Sequence, residues 1–120
     1  MARILVIDDD PDIRFVARIA LRRGKHEVTV AESGPAALMH LDSGAPCDLV
    51  LCDRMMPEMS GMQTLAEVRR RRSSIPFVFL TAKAQKEEID EGLRMGACRY
   101  LTKPFEPAEL LGEINRILKA

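Results

Sequence analysis

Five short strand-like segments, each followed by a segment with helical periodicity, constrain the fold of this chain more than any other feature. Four are largely apolar runs, at residues 3–7, 48–52, 75–80 and 98–101, and the fifth, at residues 26–31, has Val28 and Val30 on one face. Apolar and β-branched runs between turn residues are typical of buried strands. Strands that alternate with helices favour a parallel sheet with right-handed crossovers. We therefore predict an α/β fold of five βα units, wound on both sides of the sheet as a three-layer sandwich.

Signals for helix ends fill the intervals between the runs. Asp10-Pro11 offers an N-cap and a first-turn proline for the first helix, and Ser60 offers an N-cap for the third. Gly24 is placed to end the first helix. Gly92 lies inside the fourth predicted helix, where glycine costs about 1 kcal/mol relative to alanine. The sequence leaves open whether Gly92 marks low local stability or close packing.

Length, charge and hydropathy narrow the classes of function. A chain of 120 residues with 47% hydrophobic content predicts one domain, residues 1–120, with its own core. The 18 Lys and Arg balance the 18 Asp and Glu, so no overall field attracts nucleic acid or an anionic membrane, and neither is expected as a direct partner. The absence of a long apolar stretch or a signal-peptide pattern predicts a soluble, cytoplasmic protein.

The basic block and the cysteines are interpreted structurally. Arg69-Arg70-Arg71-Arg72 is predicted to be the solvated last turn of a helix, because no aromatic residues are interleaved with it. The three cysteines lack CxxC spacing, so neither a disulfide framework nor a zinc site is predicted. Cys52 and Cys98 are expected to be small buried hydrophobes.

Polar residues stand where predicted strands end. Asp8 and Asp9 follow the first strand, Asp53 follows the third, Thr81 follows the fourth and Lys103 follows the fifth. The carboxyl ends of parallel strands share one edge, which is where open α/β sheets bind ligands. Two carboxylates about 4 Å apart repel by roughly 4 kcal/mol at an effective dielectric near 20, and Mg²⁺ relieves such repulsion. The pattern predicts a site for Mg²⁺ and a phosphoryl group.

Asp53 is the candidate nucleophile of this site. A carboxylate can attack phosphorus when cations neutralise the charge on the transferring oxygens. Lys103 can supply one such charge, and a cis Lys103–Pro104 bond, which the modest trans preference of X-Pro bonds allows, would direct the lysine inward. The Thr81 hydroxyl can donate to a phosphoryl oxygen. Each residue alone has an ordinary structural explanation, but the set in this order favours phosphoryl chemistry.

These segments resemble the receiver domains of bacterial two-component response regulators, including the chemotaxis type. The resemblance covers essentially the whole chain and rests on Ile4-Leu5-Val6-Ile7-Asp8-Asp9-Asp10, Asp53-Arg54-Met55-Met56-Pro57-Glu58-Met59-Ser60-Gly61, Thr81-Ala82 and Tyr100-Leu101-Thr102-Lys103-Pro104-Phe105. It implies a flavodoxin-like sheet of strand order 2-1-3-4-5. It also implies a phosphorelay signalling domain, not an enzyme beyond self-phosphorylation and self-dephosphorylation. The implied partners are a sensor histidine kinase or phosphotransfer protein, and an effector protein or fused output domain.

The resemblance also implies a ligand set for the metal. Asp53 would be the phosphoacceptor, modified to 4-aspartylphosphate, and would bind Mg²⁺ directly together with Asp9 and the Met55 carbonyl. Asp8 would hold the metal through water. The side chains of Met55 and Lys83 would lie beside the path of the hydrolytic water, from which we expect slow self-dephosphorylation.

A third implication concerns the phosphoryl group and the switch. Thr81, the Ala82 amide, Lys103 and Met55 would bind the phosphoryl group. Tyr100 would be the switch aromatic, whose ring turns inward when Thr81 is drawn to the phosphoryl group. The loop after Thr81, the fourth helix and Tyr100 are therefore expected to move most.

The sequence leaves two alternative functions open, and it departs from the family pattern in one respect. Haloacid-dehalogenase-like phosphatases also form an aspartyl phosphate, and Asp8-x-Asp10 matches their acid pair. However, Asp12 stands where they carry Thr or Val, and the chain has no room for a cap domain. A binding module that works without phosphorylation would lack an acceptor, metal acid or lysine.

The departure from the family pattern is in residues that support a salt-bridged dimer in DNA-binding relatives. The residues that differ here are Ile89, Cys98, Arg99 and Glu113.

Overall fold

The computed structural model describes residues 1–82 and 85–119, so Lys83 and its predicted role lie outside the described residues. Strands and helices alternate throughout this part of the chain. The strands are β1 (Arg3–Ile7), β2 (Glu27–Ala31), β3 (Leu49–Asp53), β4 (Phe77–Thr81) and β5 (Arg99–Thr102). The helices are α1 (Pro11–Arg23), α2 (Gly34–Asp42), α3 (Gly61–Arg71), α4 (Lys86–Arg94) and α5 (Pro107–Lys119).

The strands form one parallel sheet in the order β2-β1-β3-β4-β5. This confirms the predicted doubly wound fold and its strand order. The register pairs Ile7 with Cys52 and Asp53 with Leu80, so that the strands end at a common edge. Asp53 and Thr81 are the last residues of β3 and β4, at the strand ends where the sequence predicted them.

Apolar side chains cover both faces of the sheet. One face packs against α2 and α3 through residues that include Leu38, Leu65 and Phe79. The other face packs against α1 and α5, with Leu21 and Ile114 in its core. Helix α4 is different, because among its nine residues, all of them described, Gly92 alone is buried. No helix in the described ranges is both long and apolar enough to cross a bilayer.

The helices that flank the acidic edge begin with side-chain caps. The Asp10 carboxylate accepts a hydrogen bond from the Asp12 N–H at 2.9 Å, as the N-cap prediction requires. Ser60 and Gln63 form a reciprocal capping box at the start of α3. At Gly61, a Cβ atom would lie 2.4 Å from the Asp53 carbonyl oxygen, so only glycine lets α3 begin this close to the end of β3.

Two interpretations of the sequence need correction. Cys98 is exposed rather than buried, because it precedes the edge strand β5, which itself leaves Arg99 exposed. The arginine block does end α3, but it is not wholly solvated. The Arg69 guanidinium donates to the carbonyls of Ile75 and Gly96, each at 2.7 Å. These contacts satisfy loop carbonyls that have no partner within a helix or strand.

Candidate functional site

Three carboxylates meet where β1 and β3 end side by side. Asp8 follows β1 and is 1% exposed, Asp53 ends β3 and is 6% exposed, and Asp9 is open to solvent. One carboxylate oxygen from each residue lies within 4.8 Å of the others. The parallel register of the two strands produces this cluster, since it brings both strand ends to the same level. The predicted convergence of the three acids is therefore confirmed.

Lys103 reaches the same cluster from the end of β5. Its ammonium nitrogen Nζ lies 2.8 Å from Asp8 Oδ2 and 3.5 Å from Asp53 Oδ1. The backbone N–H of Lys103 donates to the Thr81 carbonyl at 2.8 Å, and the Lys103–Pro104 peptide is cis, as the sequence allowed. One cation thus lies between two buried acids.

The electrostatics of the cluster favour an added cation. Burial, then the Asp8 charge, raises the pKa of Asp53 from 3.8 to about 6, although Lys103 and the Met55 N–H partly offset the rise. Burial lowers the pKa of Lys103, but Asp8 and Asp53 outweigh burial and leave that pKa raised. A single ammonium therefore does not fully compensate the negative charges of the acids, and the surroundings of Asp53 disfavour its ionised form.

The cluster also fits a hard divalent cation in its ligand chemistry. Asp8 Oδ2 is buried and accepts no hydrogen bond from the described residues, so its contact with Lys103 is an ion pair without hydrogen-bond alignment. Carboxylate oxygens are ligands that Mg²⁺ and Ca²⁺ prefer, and Mg²⁺ keeps several waters. The exposed position of Asp9 leaves solvent access on one side of the cluster for such waters.

Thr81, Ala82 and Met55 lie at the same edge of the sheet as the cluster. Thr81 is 2% exposed at the end of β4, next to β3, and Ala82 follows it as an exposed residue. The Met55 N–H donates to Asp53 Oδ1 at 3.4 Å, and the Met55 side chain is 70% exposed. Tyr100 lies apart from the acids, on β5 beneath α4. The structure thus brings the predicted acids, hydroxyl and lysine to one edge.

Arg54 is a charged residue near the site whose contacts the sequence analysis missed. Its side chain is 10% exposed and points from the end of β3 toward α4. It donates to the Tyr100 hydroxyl, to the Glu88 carbonyl at 3.2 Å and to Glu91 Oε1 at 2.8 Å. A signal for this role was its position, since a charge directly after a buried strand must find a partner or reach water.

Three charged residues of β5 and α5 pair with one another within the chain. Arg99 donates to Glu113 at 2.8 Å, and Arg116 also binds Glu113. Ile89 is half-buried on α4. The residues that differ from the dimer pattern of DNA-binding relatives thus include an internal ion pair, which occupies charges that an intermolecular pair would need.

Comparison with known proteins identifies the family. A family model described as the response regulator receiver domain matches residues 4–115. The response regulator SaeR of Staphylococcus aureus is 36% identical over 118 residues, which are 98% of this chain and 51% of SaeR. The chain therefore spans about half the length of the curated relatives it matches.

Solved structures agree with this assignment. The chemotaxis protein CheY4 of Vibrio cholerae has a TM-score of 0.91 and 33% identity, with 98% of both chains covered. The BeF3-activated receiver domain of DrrB has a TM-score of 0.87 and 28% identity, with 100% of this chain and 99% of that chain covered. The comparisons support neither the phosphatase nor the phosphorylation-independent alternative. The chain belongs to the receiver domains of two-component response regulators.

Proposed function

We propose that this receiver domain takes a phosphoryl group on Asp53 from the phosphohistidine of a sensor histidine kinase or phosphotransfer protein. The observation that carries the proposal is the buried Asp53 carboxylate, with Lys103 at 3.5 Å and two further acids close by. In the transfer, a carboxylate oxygen of Asp53 forms a bond to phosphorus while the bond from phosphorus to the imidazole nitrogen breaks. The electron pair of that bond stays on the imidazole, which is a neutral leaving group once protonated.

The residues of the site have separate tasks in this reaction. Asp9, Asp53 and the Met55 carbonyl would hold Mg²⁺, with Asp8 acting through water. When bound, Mg²⁺ would neutralise charge on the acids and on the transferring oxygens. Lys103 stabilises the remaining negative charge on the phosphoryl oxygens as a point charge. It also partly offsets the rise in the pKa of Asp53, which favours the ionised form that can attack.

Labelling with acetyl phosphate tests the acceptor directly. With Mg²⁺, the chain should gain one hydroxylamine-sensitive phosphoryl group, and Asp53→Asn should abolish it. Asp12→Asn is the matched control, because Asp12 is an exposed acid on α1 that does not belong to the cluster, and it should label like wild type. Retained labelling of Asp53→Asn would exclude Asp53. Loss of labelling in Asp8→Asn alone would favour the phosphatase chemistry instead.

The response to phosphorylation is proposed to be a shift between two existing conformations of the α4–β5–α5 face, with Thr81 and Tyr100 as switch residues. The thin burial of α4 supports this, since elements with few buried apolar contacts open most easily. Hydrogen exchange should change most in α4 and β5 when beryllofluoride and Mg²⁺ are added. A change confined to α1 and α2 would contradict the proposal.

The partners and location are proposed on the same basis. Phe15 and Val16 are exposed on α1, which starts directly after the acids, and such apolar side chains suit docking of a phosphodonor protein at that edge. The output is proposed to pass to an effector or a fused domain, as the half-length match to SaeR suggests. Free thiols at Cys47, Cys52 and Cys98 suit the proposed cytoplasmic location, where thiols stay reduced.

A further inference from the structure

One buried cation, Arg54, links helix α4 to the end of β3. Gly92 is its single buried residue within Lys86–Arg94, so the helix has no large apolar side chain fully sunk in the core. Arg54, by contrast, is nine-tenths buried below the helix. Its guanidinium contacts the Glu88 carbonyl at 3.2 Å and the Glu91 carboxylate at 2.8 Å, both on α4. The main polar link between β3 and α4 is therefore the side chain that follows Asp53.

The same guanidinium fixes the hydroxyl of Tyr100. Arg54 donates to the Tyr100 oxygen, and the Tyr100 O–H donates to the Glu88 carbonyl at 2.9 Å. The Tyr100 ring packs on Phe79 with ring centroids 4.9 Å apart. Arg54, Tyr100 and Glu88 thus form a closed triangle of hydrogen bonds that joins β3, β5 and α4. We call this arrangement the docked state of Tyr100.

Gly92 makes the docked state possible. A Cβ at this position would lie 2.3 Å from the Tyr100 oxygen and 2.7 Å from a ring carbon, closer than atoms can approach. Tyr100 therefore occupies the space that a side chain at residue 92 would fill. Of the two interpretations of Gly92 that the sequence left open, close packing is the one that the structure supports.

The buried charge of Arg54 explains why the hydrogen bonds of the triangle are not lost gradually. Burial lowers the pKa of Arg54, but Glu91, Tyr100 and Glu88 outweigh burial and leave it raised. A buried guanidinium that lost these partners would be uncompensated, so Arg54 either keeps α4 and Tyr100 together or turns out to solvent. Two discrete arrangements, rather than a continuum, are what a switch needs.

We propose that Arg54 is a positioning residue that couples the acceptor strand to the signalling face, by holding Tyr100 and α4 in the docked state. The proposal rests on the proposed function of Asp53 for its role in signalling. The contacts of Arg54 with Tyr100 and α4 do not depend on that function. Arg54 directly follows Asp53 in the chain, so a movement of the backbone at Asp53 would also move Arg54.

The chain carries its own reporter for a test. Its single tyrosine is Tyr100, and it has no tryptophan, so intrinsic fluorescence reports on the docked residue alone. Acrylamide is a suitable quencher, because it is uncharged and is not affected by the loss of a cation. In Arg54→Met the quenching constant should rise about two-fold, as a half-buried ring becomes open to water. Arg54→Lys should rise less, since an ammonium keeps the charge but cannot make the forked contacts.

Two further variants separate positioning from general structure. Arg70→Met is the matched control, because the Arg70 side chain is 76% exposed on α3, and its quenching should equal that of wild type. Gly92→Ala should undock Tyr100 by steric contact while leaving Arg54 in place. Far-UV circular dichroism should show that all the variants remain folded.

Binding of beryllofluoride with Mg²⁺, followed by fluorine NMR, then measures the coupling. Arg54→Met and Gly92→Ala should change the affinity in the same direction by about five-fold, the lower end of typical coupling between sites. Unchanged quenching in Arg54→Met overturns the proposal, and so does increased quenching with unchanged affinity, or opposite shifts in the two variants. If wild type bound no beryllofluoride, the proposed function would fail. The quenching series would still decide whether Arg54 positions Tyr100.

Discussion

Replacing Asp53, the proposed phosphoacceptor, with its neutral isostere Asn should stabilise the chain above pH 6 when divalent cations are absent. Burial and the neighbouring Asp8 raise the pKa of Asp53 to about 6. The folded state therefore holds this proton more tightly than the unfolded state does, and stability falls as pH rises from about 4 through about 6. Asn has the same shape as Asp and no charge. In Asp53→Asn that loss of stability should be absent.

The magnitude follows from the size of the pKa rise. A rise from 3.8 to about 6 is about two units, and at about 1.4 kcal/mol per unit the ionised carboxylate costs the folded state about 3 kcal/mol. The side chain is 8% exposed, so solvent screening takes little from this figure. The advantage of Asp53→Asn over wild type should therefore grow by about 3 kcal/mol between pH 4 and pH 7.5. For a domain of this size, that is about 10 °C in Tm.

Urea unfolding in EDTA, followed by far-UV circular dichroism at several pH values, measures this difference. Asp12→Asn is the control, since Asp12 is exposed in the first turn of α1 and its replacement should change stability by less than about 1 kcal/mol throughout. Added Mg²⁺ should reduce the advantage of Asp53→Asn, because a cation that binds only the folded wild type stabilises it. If the advantage is the same at pH 4 and pH 7.5, the carboxylate is not held in a destabilising environment and the reasoning is wrong.

Three further outcomes are expected. Calorimetric titration should show that Asp9→Ala weakens Mg²⁺ binding more than Asp8→Ala, because Asp8 is proposed to act through water; the reverse order would contradict that ligand set. Ser60→Ala should lower the free energy of unfolding by about 1 kcal/mol through loss of the α3 capping box, and an unchanged urea midpoint would show that the cap contributes nothing. The Met55→Asn, Lys83→Glu double variant should lose its phosphoryl group faster in Mg²⁺, since a polar and an acidic side chain can orient the attacking water; equal or slower decay of the phosphorylated form would refute this.

The fold and the acidic edge were predictable because their signals are local. Four of the five strands are short, largely apolar runs that end in a polar residue of the site or directly precede one, so the sheet edge could be located without knowing any long-range contact. The position of Lys103 depended on the same reasoning and is confirmed at 2.8 Å from Asp8. Cys98 was predicted wrongly because burial at an edge strand depends on what lies beside it. The pattern of a single run does not contain that information.

Arg54 could not be assigned from the sequence for a related reason. Its partners Glu88 and Tyr100 are 34 and 46 positions away along the chain, and they reach it only after α4 has packed over the sheet. In the sequence, Arg54 is one charged residue in a loop motif, and the chemical roles of its neighbours are more evident than its own. The sequence shows that residue 92 is glycine. It does not show that the side chain of Tyr100 occupies the space beside that glycine.

Arg54 lies beside Asp53, the proposed phosphoacceptor, and contacts α4, the helix with the fewest buried residues in the described part of the chain. A switch requires that the ligand distinguish two states by about 1–3 kcal/mol. Hydrogen bonds to a charged group contribute about 1.5–3 kcal/mol each, so breaking even one contact of the Arg54 triangle is a change of the required size. The apolar cores on the two faces of the sheet are too well buried to rearrange at that cost, whereas α4 buries Gly92 alone among its described residues. A switch in α4 would therefore need to change only the polar contacts of Arg54, and Arg54 lies next to Asp53, the proposed phosphoacceptor.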